Sequence, residues 1–456
     1  MKWIRSTALM ALLTGIISLA QAQTTVPAYI DTDQWWTAAG SPYQLSANTY
    51  LAEGAFIRIQ PGVRVEASKP LQFIVDGRIE AAGKPDSMIE FEGFQWRLQA
   101  KAAGYEPTSD TGAQFNYCHF FGQSNSGTYN IYNECPGVSV THCLFEDAYY
   151  GLYNRYSSAK GYISVTHSRF PSNSKYGYPI YTSGQGRLVL EFDTFQNQYA
   201  VYGYGTDIAF NRNQISGTGS VTLSVYGSLN MACNDFKNMA SGLQLNCWGY
   251  YDTLHMTVTG NTLDSCGGSF YPMLSLSGST PDGNKPILAH FNRNNFMRYS
   301  GTGAKVKFTG TNKNPAAGWA FDFSSNYWMS QDSATIAAWI QDYHDDLMIW
   351  GLAQASNPLG SLVVDCQDNT AGQNSSVGFA VSAYPNPSQG NVLWVDCPGG
   401  FDAYTWINAQ GQILQHQTGT FSEHCELIWP EMTSSGLYHL VLHSGHQRIS
   451  LRLLRP

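Results

Sequence analysis

The sequence has few charged side chains, and this scarcity excludes several kinds of partner. Only 13% of its 456 residues are charged, with 25 Lys and Arg against 33 Asp and Glu. Nucleic acid is held by clustered basic residues that neutralise phosphates, so an acidic, charge-poor chain argues against it as a partner. The net charge of −8 also argues against acidic polysaccharides unless a cation mediates the contact.

Long hydrophobic runs are also missing after residue 22, so we expect no transmembrane segment. The first 22 residues differ, because Lys2 and Arg5 precede an apolar run that ends in the small residues Ala20–Ala22. This pattern predicts a secretory signal peptide at 1–22, whose removal leaves a net charge of about −10. Export would place nine cysteines in an oxidising compartment. No Cys-X-X-Cys motif is present, which disfavours a zinc knuckle or a thioredoxin-type site.

A short pattern recurs along the chain: apolar, any, apolar, two variable residues, small polar, any, large apolar. Its nine copies end at Phe120, Phe145, Phe170, Phe195, Ile215, Phe236, Leu263, Phe296 and Trp328. They lie 20 to 33 residues apart, a period typical of solenoids. The alternating apolar residues predict short strands with one buried face, and helical spacing is absent. We therefore expect an all-β chain whose main part is a parallel β-helix.

The small polar position of the repeat predicts a stacked corner. From the fifth copy onward it is always asparagine, at Asn213, Asn234, Asn261, Asn294 and Asn326. Asparagine amides can bond from coil to coil at the ~4.8 Å strand spacing, and asparagine tolerates the left-handed conformation of a sharp corner. We call these five residues the Asn column and predict a structural role for it.

Two histidines precede the corner in successive copies, in "SVTHCLF" and "SVTHSRF". His142 and His167 have two interpretations, a metal or catalytic feature or an incidental part of the scaffold. The same register supplies no acidic residue and no third histidine, whereas a closed metal site needs more ligands. The scaffold interpretation is therefore favoured.

The two ends of the solenoid carry their own signals. Residues 33–93 contain "AGSPY", then "IQPGV", then "GRIEAAGKPDSMIEF". This segment resembles the N-terminal part of secreted right-handed parallel β-helix proteins of the pectin-lyase-like fold. The resemblance implies such a β-helix over 23–365, with an entrance at 33–93, coils at about 113–328 and a cap at about 329–352. In the cap, Ser333 to Ile340 has helical spacing with Ser333 as the N-cap. Asp345 with Asp346 could be a lid's solvated acids or a catalytic or cation-binding pair.

A polar linker at 366–378 precedes about seven short strands at 379–456, which predict a small β-sandwich. The motif residues here are Tyr384, Pro385, Asn386, Pro387, Gly390, Asn408, Gly411, Gly436 and Tyr438. They resemble the C-terminal sorting domain of type IX secretion, although Arg448, Arg452 and Arg455 stand where that family usually has Lys. The resemblance implies the type IX secretion machinery as a partner, passage through the periplasm and the outer membrane, and release or anchoring to surface lipopolysaccharide. A carbohydrate-binding or immunoglobulin-like module is the alternative.

Two cysteine pairs are candidates for disulfide bonds. Cys397 and Cys425 each lie at a predicted strand end of the C-terminal unit, and we predict a disulfide between them that adds roughly 3 kcal/mol by chain entropy. Cys118 and Cys143 share one register on adjacent coils, and whether they pair is left open.

Tyrosine offers the best indication of function. "YYGLYNRY", "KYGYPIY" and "YAVYGYG" follow three successive copies at similar offsets. Stacking should bring together Tyr149, Tyr153, Tyr178, Tyr199 and Tyr202. Such an aromatic strip could bind a polysaccharide in adhesion or glycan binding, or it could only stabilise the sheet.

An enzyme of the polysaccharide lyase or glycoside hydrolase type is the alternative, because the fold family hosts both. Hydrolysis needs two facing carboxylates, and lyase chemistry needs several calcium-binding acids. The acids of the repeats scatter across registers, at Glu146, Asp147, Glu191, Asp193, Asp207 and Asp235. We therefore assign no catalytic residue, no cofactor and no metal, and expect a non-catalytic protein at the cell surface or outside the cell.

Overall fold

The structure is a computed structural model. It describes residues 23–122, 127–146, 149–156, 158, 161–171, 177–184, 186–196, 199–217, 219–247, 254–278, 287–299, 301–310, 319–347, 349–364, 382–384, 392–396, 401–408, 412–422, 424–430, 436–444 and 447–455. The predicted signal peptide at 1–22 lies outside these residues. The chain divides into two compact units, Met1–Cys366 and Gln367–Pro456.

The first unit is a parallel β-helix, as its repeat predicts, with three strand ladders that run along it. Ladder A contains Tyr29–Ile30, Thr49–Leu51, Tyr129–Asn133, Tyr150–Asn154, Ile180–Thr182, Leu243–Cys247, Leu274–Gly278, Val306–Thr309 and Ile340–Gln341. Ladder B contains Gln34–Trp36, Phe56–Ile59, Arg78–Ala82, Gln114–Asn116, Gly137–Thr141, Tyr162–Thr166, Arg187–Glu191, Leu254–Thr259, Ile287–Asn292, Trp319–Asp322 and Gly351–Gln354. Ladder C contains Thr24–Val26, Tyr43–Leu45, Cys118–Phe121, Leu144–Phe145, Arg169–Phe170, Thr194–Phe195, Gln214–Ser216, Asp235–Lys237, Thr262–Asp264 and Asn295–Phe296.

Four longer strands bend from one ladder into another. Arg64–Val75 and Ile89–Leu98 begin in ladder C and end in ladder A. Val201–Asn211 and Val221–Ala232 begin in ladder A and end in ladder B. The ladders start at Thr24, ahead of the entrance predicted at residue 33.

The registers of the sequence repeat are the registers of the coils. In ladder B, Val140 pairs with Val165 and Val165 with Leu190, and all three side chains are buried. The phenylalanines that end the first four copies stack inside ladder C, for example Phe145 on Phe170 at 4.8 Å between ring centroids and 9° between planes. The core is therefore a set of apolar columns, each contributed by one position of the repeat.

The corner between ladders B and C needs a left-handed residue, and the structure corrects its position. Positive φ angles of 49° to 68° fall one residue before the small polar position, at Tyr117, His142, His167, Phe192, Arg212, Cys233, Gly260, Arg293 and Ser325. The asparagines that follow do not have positive φ angles, and their side-chain amides form hydrogen bonds instead. The left-handed strain and the hydrogen bonding are thus divided between two neighbouring residues.

The end of the solenoid carries the predicted helix in a shorter form. The α-helix is Ser333–Ala338, and its N-cap is Asp332 rather than Ser333, because the Asp332 carboxylate accepts from the Thr335 N–H at 2.8 Å. A carboxylate at this position also interacts favourably with the positive N-terminal end of the helix dipole. Ile340 already belongs to a ladder A strand, where it pairs with Val306. A single turn of 3-10 helix, Ala38–Gly40, lies near the other end.

The second unit has two antiparallel sheets with a shared core. One sheet contains Ser382–Tyr384, Val392–Asp396 and His424–Ile428. The other contains Ile413–Phe421, Phe401–Asn408, Gly436–Ser444 and Gln447–Arg455. Leu393 and Leu427 of the first sheet join Trp406, Leu440 and Leu453 of the second in one buried cluster. This is the small β-sandwich that the sequence predicts.

Within the part of the chain that the structure describes, no helix is long and apolar enough to cross a membrane.

Candidate binding surface on ladder A

The tyrosines of ladder A follow a stricter pattern than the sequence analysis found. Four successive coils each carry Tyr-X-X-Tyr, as "YNIY", "YGLY", "YPIY" and "YAVY". The first tyrosines are Tyr129, Tyr150, Tyr178 and Tyr199, and the second are Tyr132, Tyr153, Tyr181 and Tyr202. The two residues between them are buried on every coil, so the paired tyrosines flank an inward-facing segment and are themselves half-buried. We call these eight residues the tyrosine surface.

The second tyrosines form a continuous stack. Their centroids are 5.5 Å apart for Tyr132 and Tyr153, 4.7 Å for Tyr153 and Tyr181, and 4.9 Å for Tyr181 and Tyr202. The angles between ring planes are only 5° to 13°. Strand pairing fixes this geometry, because these tyrosines are direct partners in the ladder.

All five tyrosines expected in the strip lie in this network. Tyr153 and Tyr202 belong to the stack, with Tyr181 between them. Tyr178 contacts Tyr199 and Tyr202 at 5.1 Å and 5.4 Å. Tyr149 contacts Tyr150 at 4.8 Å from outside the Tyr-X-X-Tyr pattern. Tyr129, Tyr132, Tyr150 and Tyr181 were not among the predicted residues, although the repeated Tyr-X-X-Tyr pattern could have indicated them.

The stack changes what the surface can offer to a ligand. Rings that lie face to face cover one another, so the inner rings Tyr153 and Tyr181 present edges and hydroxyls rather than open faces. Flat stacking of a sugar on these ring faces is therefore excluded for the inner rings. What remains is a row of phenol hydroxyls at intervals of about 5 Å along the solenoid.

Burial favours the protonated form of several of these hydroxyls. Burial and the adjacent tyrosines raise the pKa of Tyr150 to about 12, and burial raises the pKa of Tyr129, Tyr178 and Tyr181 as well. A protonated phenol both donates and accepts a hydrogen bond. The Tyr202 and Tyr204 hydroxyls lie 3.0 Å apart, which extends the row by one group.

One end of the stack is closed by charged groups. The Arg97 guanidinium lies over the Tyr132 ring at 5.2 Å, and it forms an ion pair with Glu134 at 3.5 Å. Arg155 donates to the Tyr132 hydroxyl at 3.4 Å. At the other end the stack gives way to Thr222, the ladder partner of Tyr202. The surface therefore spans four coils and has defined limits.

Three acids of the repeats that the structure describes, Glu146, Glu191 and Asp207, contact side chains that are not acidic. Glu146 contacts His119 at 3.0 Å, Glu191 accepts from Asn211 at 2.8 Å, and Asp207 accepts from Ser228 at 2.7 Å. Each is thus tied to a partner on an adjacent coil, and Asp147 lies outside the described residues. Among the residues that the structure describes, no group of three or more His, Cys, Asp or Glu could hold a metal ion.

The acids of the cap are exposed. Asp345 and Asp346 both face solvent, and the Asp345 carboxylate accepts from the Asp342 N–H at 3.0 Å. The buried acid of this region is Asp342, which accepts from the N–H groups of His344 and Ala353. Asp342 therefore organises the cap, whereas Asp345 and Asp346 are exposed.

The Asn column is a continuous hydrogen-bonded ladder. From Asn234 onward, each Oδ1 accepts both the backbone N–H and the side-chain amide of the asparagine one coil earlier. The backbone N···Oδ1 distances are 2.9 Å for Asn213 to Asn234, 2.9 Å for Asn234 to Asn261, 3.0 Å for Asn261 to Asn294 and 2.7 Å for Asn294 to Asn326. All five residues are at most 2% exposed.

Asp193 continues this ladder at its N-terminal end with a different group. Its Oδ1 accepts from the Ser168 N–H at 2.7 Å, and its own N–H donates to Asn213 at 2.9 Å. Its Oδ2 has no hydrogen-bond partner among the described residues. Complete burial raises the pKa of this carboxyl well above its usual range, so the neutral acid takes the place of an amide.

The paired histidines belong to a stack on the outside of the same corner. Tyr117 lies on His142 at 4.4 Å, His142 on His167 at 4.7 Å, and His167 on Phe192 at 4.7 Å. The Arg212 guanidinium lies over the Phe192 ring at 5.4 Å. The repeated heptad thus places two imidazoles in an aromatic column.

This column predicts a pH-dependent stability. Burial and the neighbouring His167 lower the pKa of His142 from 6.5 to about 4. Below pH 6.5 the unfolded chain binds a proton on this ring that the folded chain does not, so stability is lost as the pH falls toward 4. Allowing for the partial exposure of the ring, we expect His142 to account for about 2 kcal/mol of that loss.

The measurement is thermal unfolding of the wild type and of His142→Phe between pH 7 and pH 4. Phenylalanine already occupies this register at Phe192 with a positive φ of 60°, so the variant should fold. A variant whose melting temperature falls as steeply as that of the wild type would contradict the assignment.

The sorting-motif residues are only partly covered. Pro385, Asn386, Pro387, Gly390 and Gly411 lie outside the described residues, and Tyr384 is described only as part of a strand. Asn408 and Gln412 close a turn, with the Gln412 N–H donating to the Asn408 side chain at 2.9 Å. Gly436 begins a strand with a φ of 153°, and Tyr438 packs against Trp429 at 5.3 Å. These residues are framework of the sandwich.

The cysteine predictions have separate outcomes. Cys118 and Cys143 are both buried free thiols, so this pair, which the sequence left open, is not bonded. Cys425 lies opposite Val395 across two antiparallel strands. Cys397 lies outside the described residues, and its disulfide with Cys425 stays a prediction.

Comparison with known proteins finds no relative: the chain matches no protein-family model, no curated protein and no solved structure.

Proposed function

We propose that the β-helix is a non-catalytic protein of the cell surface or the extracellular space that binds an extended polysaccharide along the tyrosine surface. The observation that carries this proposal is the row of hydroxyls that four Tyr-X-X-Tyr coils place on one ladder. A hydroxyl row with a regular interval suits a polymer whose own hydroxyls repeat along its length. Aromatic edges add apolar contact at each step.

The charge of the surface favours a neutral polymer. The whole chain is acidic, and at the edge of the tyrosine surface Arg97 is already paired with Glu134. Hydrogen bonds between neutral groups contribute about 0.5–1.5 kcal/mol each, so single sugars should bind weakly and affinity should rise with chain length.

The first test is a glycan array probed with the full chain. We expect binding to long neutral glycans and weak binding to their monomers. The second test is a variant with Tyr153→Phe, Tyr181→Phe and Tyr202→Phe, which keeps the stacked rings and removes three hydroxyls. We expect its affinity for the glycan to fall at least tenfold, with an unchanged melting temperature.

Tyr29→Phe is the matched control. Tyr29 stacks on Tyr50 at 5.7 Å in the same ladder but lies on another part of the solenoid. If the triple variant binds as the wild type does, the tyrosines only stabilise the sheet. If no glycan binds the wild type, the proposed function is wrong.

The proposal also covers export. We infer from the motif resemblance that residues 379–456 are a type IX sorting domain, and that the predicted signal peptide takes the chain to the periplasm first. The support is the resemblance of Asn408, Gly436, Tyr438 and the Tyr384–Pro387 segment to that family. Surface lipopolysaccharide is the anchor that such a domain would use.

A further inference from the structure

A groove of about 630 Å³ lies beside the last coils, away from the tyrosines of the proposed function. Two segments form its walls, the loop that leads into the strand Val306–Thr309 and the region around the helix Ser333–Ala338. Its lining combines the apolar residues Met297, Met329, Ala338 and the aromatic residues Tyr299 and Trp339 with the polar or charged residues Arg298, Thr302 and Lys305. This volume is within the range of small-molecule binding sites.

Lys305 is the unusual residue of this groove. It is only 5% exposed, and its Nζ donates to the carbonyls of Met297 and Trp328 at 3.3 Å and 3.4 Å. The same Nζ lies 3.6 Å from the centroid of the Trp339 ring. All three contacts are with neutral groups, and the two hydrogen bonds are long.

Within the part of the chain that the structure describes, Lys305 has no negatively charged partner. No carboxylate of the described residues forms an ion pair with it, and burial alone lowers its pKa to about 8. The nearby Arg298 is already paired with Asp264, with Nε to Oδ1 at 2.8 Å. A buried cation without a counter-charge is costly, and an anion that enters the groove would compensate it.

The position of Lys305 does not require a charge. It lies immediately before Val306, and the equivalent residue one coil earlier, immediately before the partner strand residue Leu274, is Met273. Met273 is fully buried and apolar. The scaffold accepts a methionine at this register, so the charge of Lys305 has a role other than filling the coil.

We propose that this groove binds a small carboxylate with an apolar body, whose carboxylate pairs with Lys305 and whose apolar part contacts Trp339 and the two methionines. The apolar residues of the groove can contact the body of such a ligand, and the single buried cation, Lys305, matches a single negative charge. The proposal is independent of glycan binding by the tyrosine surface.

The test uses isothermal titration calorimetry of the full chain with octanoate, and octanamide as the uncharged control. We expect saturable one-to-one binding of octanoate and at least tenfold weaker binding of octanamide. Lys305→Met, which copies Met273, should weaken octanoate binding at least tenfold and leave octanamide binding unchanged.

A second variant keeps the proposal testable if Lys305→Met fails to fold. Ala338→Trp fills the groove from its exposed wall and leaves Lys305 intact, and it should abolish binding of both compounds. The proposal is overturned if the wild type does not bind octanoate or binds octanoate and octanamide equally. It is also overturned if either variant folds and binds octanoate as tightly as the wild type does.

Discussion

Deletion of residues 380–456 should leave a folded β-helix in the periplasm and abolish its appearance at the cell surface. The physical reason is that each of the two units has its own buried core. The β-helix has its own buried core from Val26 to Trp350, and the sandwich has a separate one built around Trp406. Because the repeats complete their ladders without the sandwich, its removal should cost the β-helix no core contacts.

The measurement is protease accessibility and surface labelling of intact cells of a bacterium that has type IX secretion. Transfer is the matched experiment: residues 380–456 fused to an unrelated folded periplasmic protein should carry it to the surface. Unchanged surface display of the truncated chain would make the C-terminal unit a binding module instead. A fusion that folds and stays in the periplasm would lead to the same conclusion.

Replacement of Asn261 by leucine should destabilise the β-helix by about 3 kcal/mol. The Asn261 Oδ1 accepts from the backbone N–H and the side-chain amide of Asn234 at 2.9 Å and 2.8 Å. Its own amide donates to the Met231 carbonyl at 2.9 Å. Leucine is similar in size but leaves these buried groups without partners, and each such group costs about 1–3 kcal/mol.

Thermal or denaturant unfolding of the two proteins measures the effect. Asn230→Leu is the control, because Asn230 lies on the adjacent strand with an exposed side chain. It should melt within a degree or two of the wild type. A melting temperature of Asn261→Leu close to that of the control would show that the column contributes little.

The coil register could be predicted because it depends on one local pattern. The apolar residues alternate within a strand, so Val140, Val165 and Leu190 already align in the sequence before any pairing is known. The backbone conformation of the corner was harder to predict from the sequence. Both asparagine and its predecessor fit a turn, and only the backbone shows that the positive φ belongs to the predecessor.

The candidate sites could be predicted less well than the coil register, because they depend on contacts between coils and the coils differ in length. The sequence indicated Tyr153 and Tyr202, but it could not show that their rings stack through Tyr181 and cover one another's faces. Lys305 gave no signal at all, since a lone lysine in a loop is usually solvated. Its burial follows from the stacking of Trp339 directly over its position in the next coil.

The amides of the Asn column all point the same way, and this gives the β-helix a polarity. Every Oδ1 faces the preceding coil and every linking side-chain N–H faces the following one. A partly wound chain therefore exposes donors at its C-terminal front and acceptors at its N-terminal front. The two ends of a partly wound column therefore need different partners. A coil that is added at the C-terminal end must supply a hydrogen-bond acceptor. Winding in the order of synthesis satisfies this requirement one asparagine at a time.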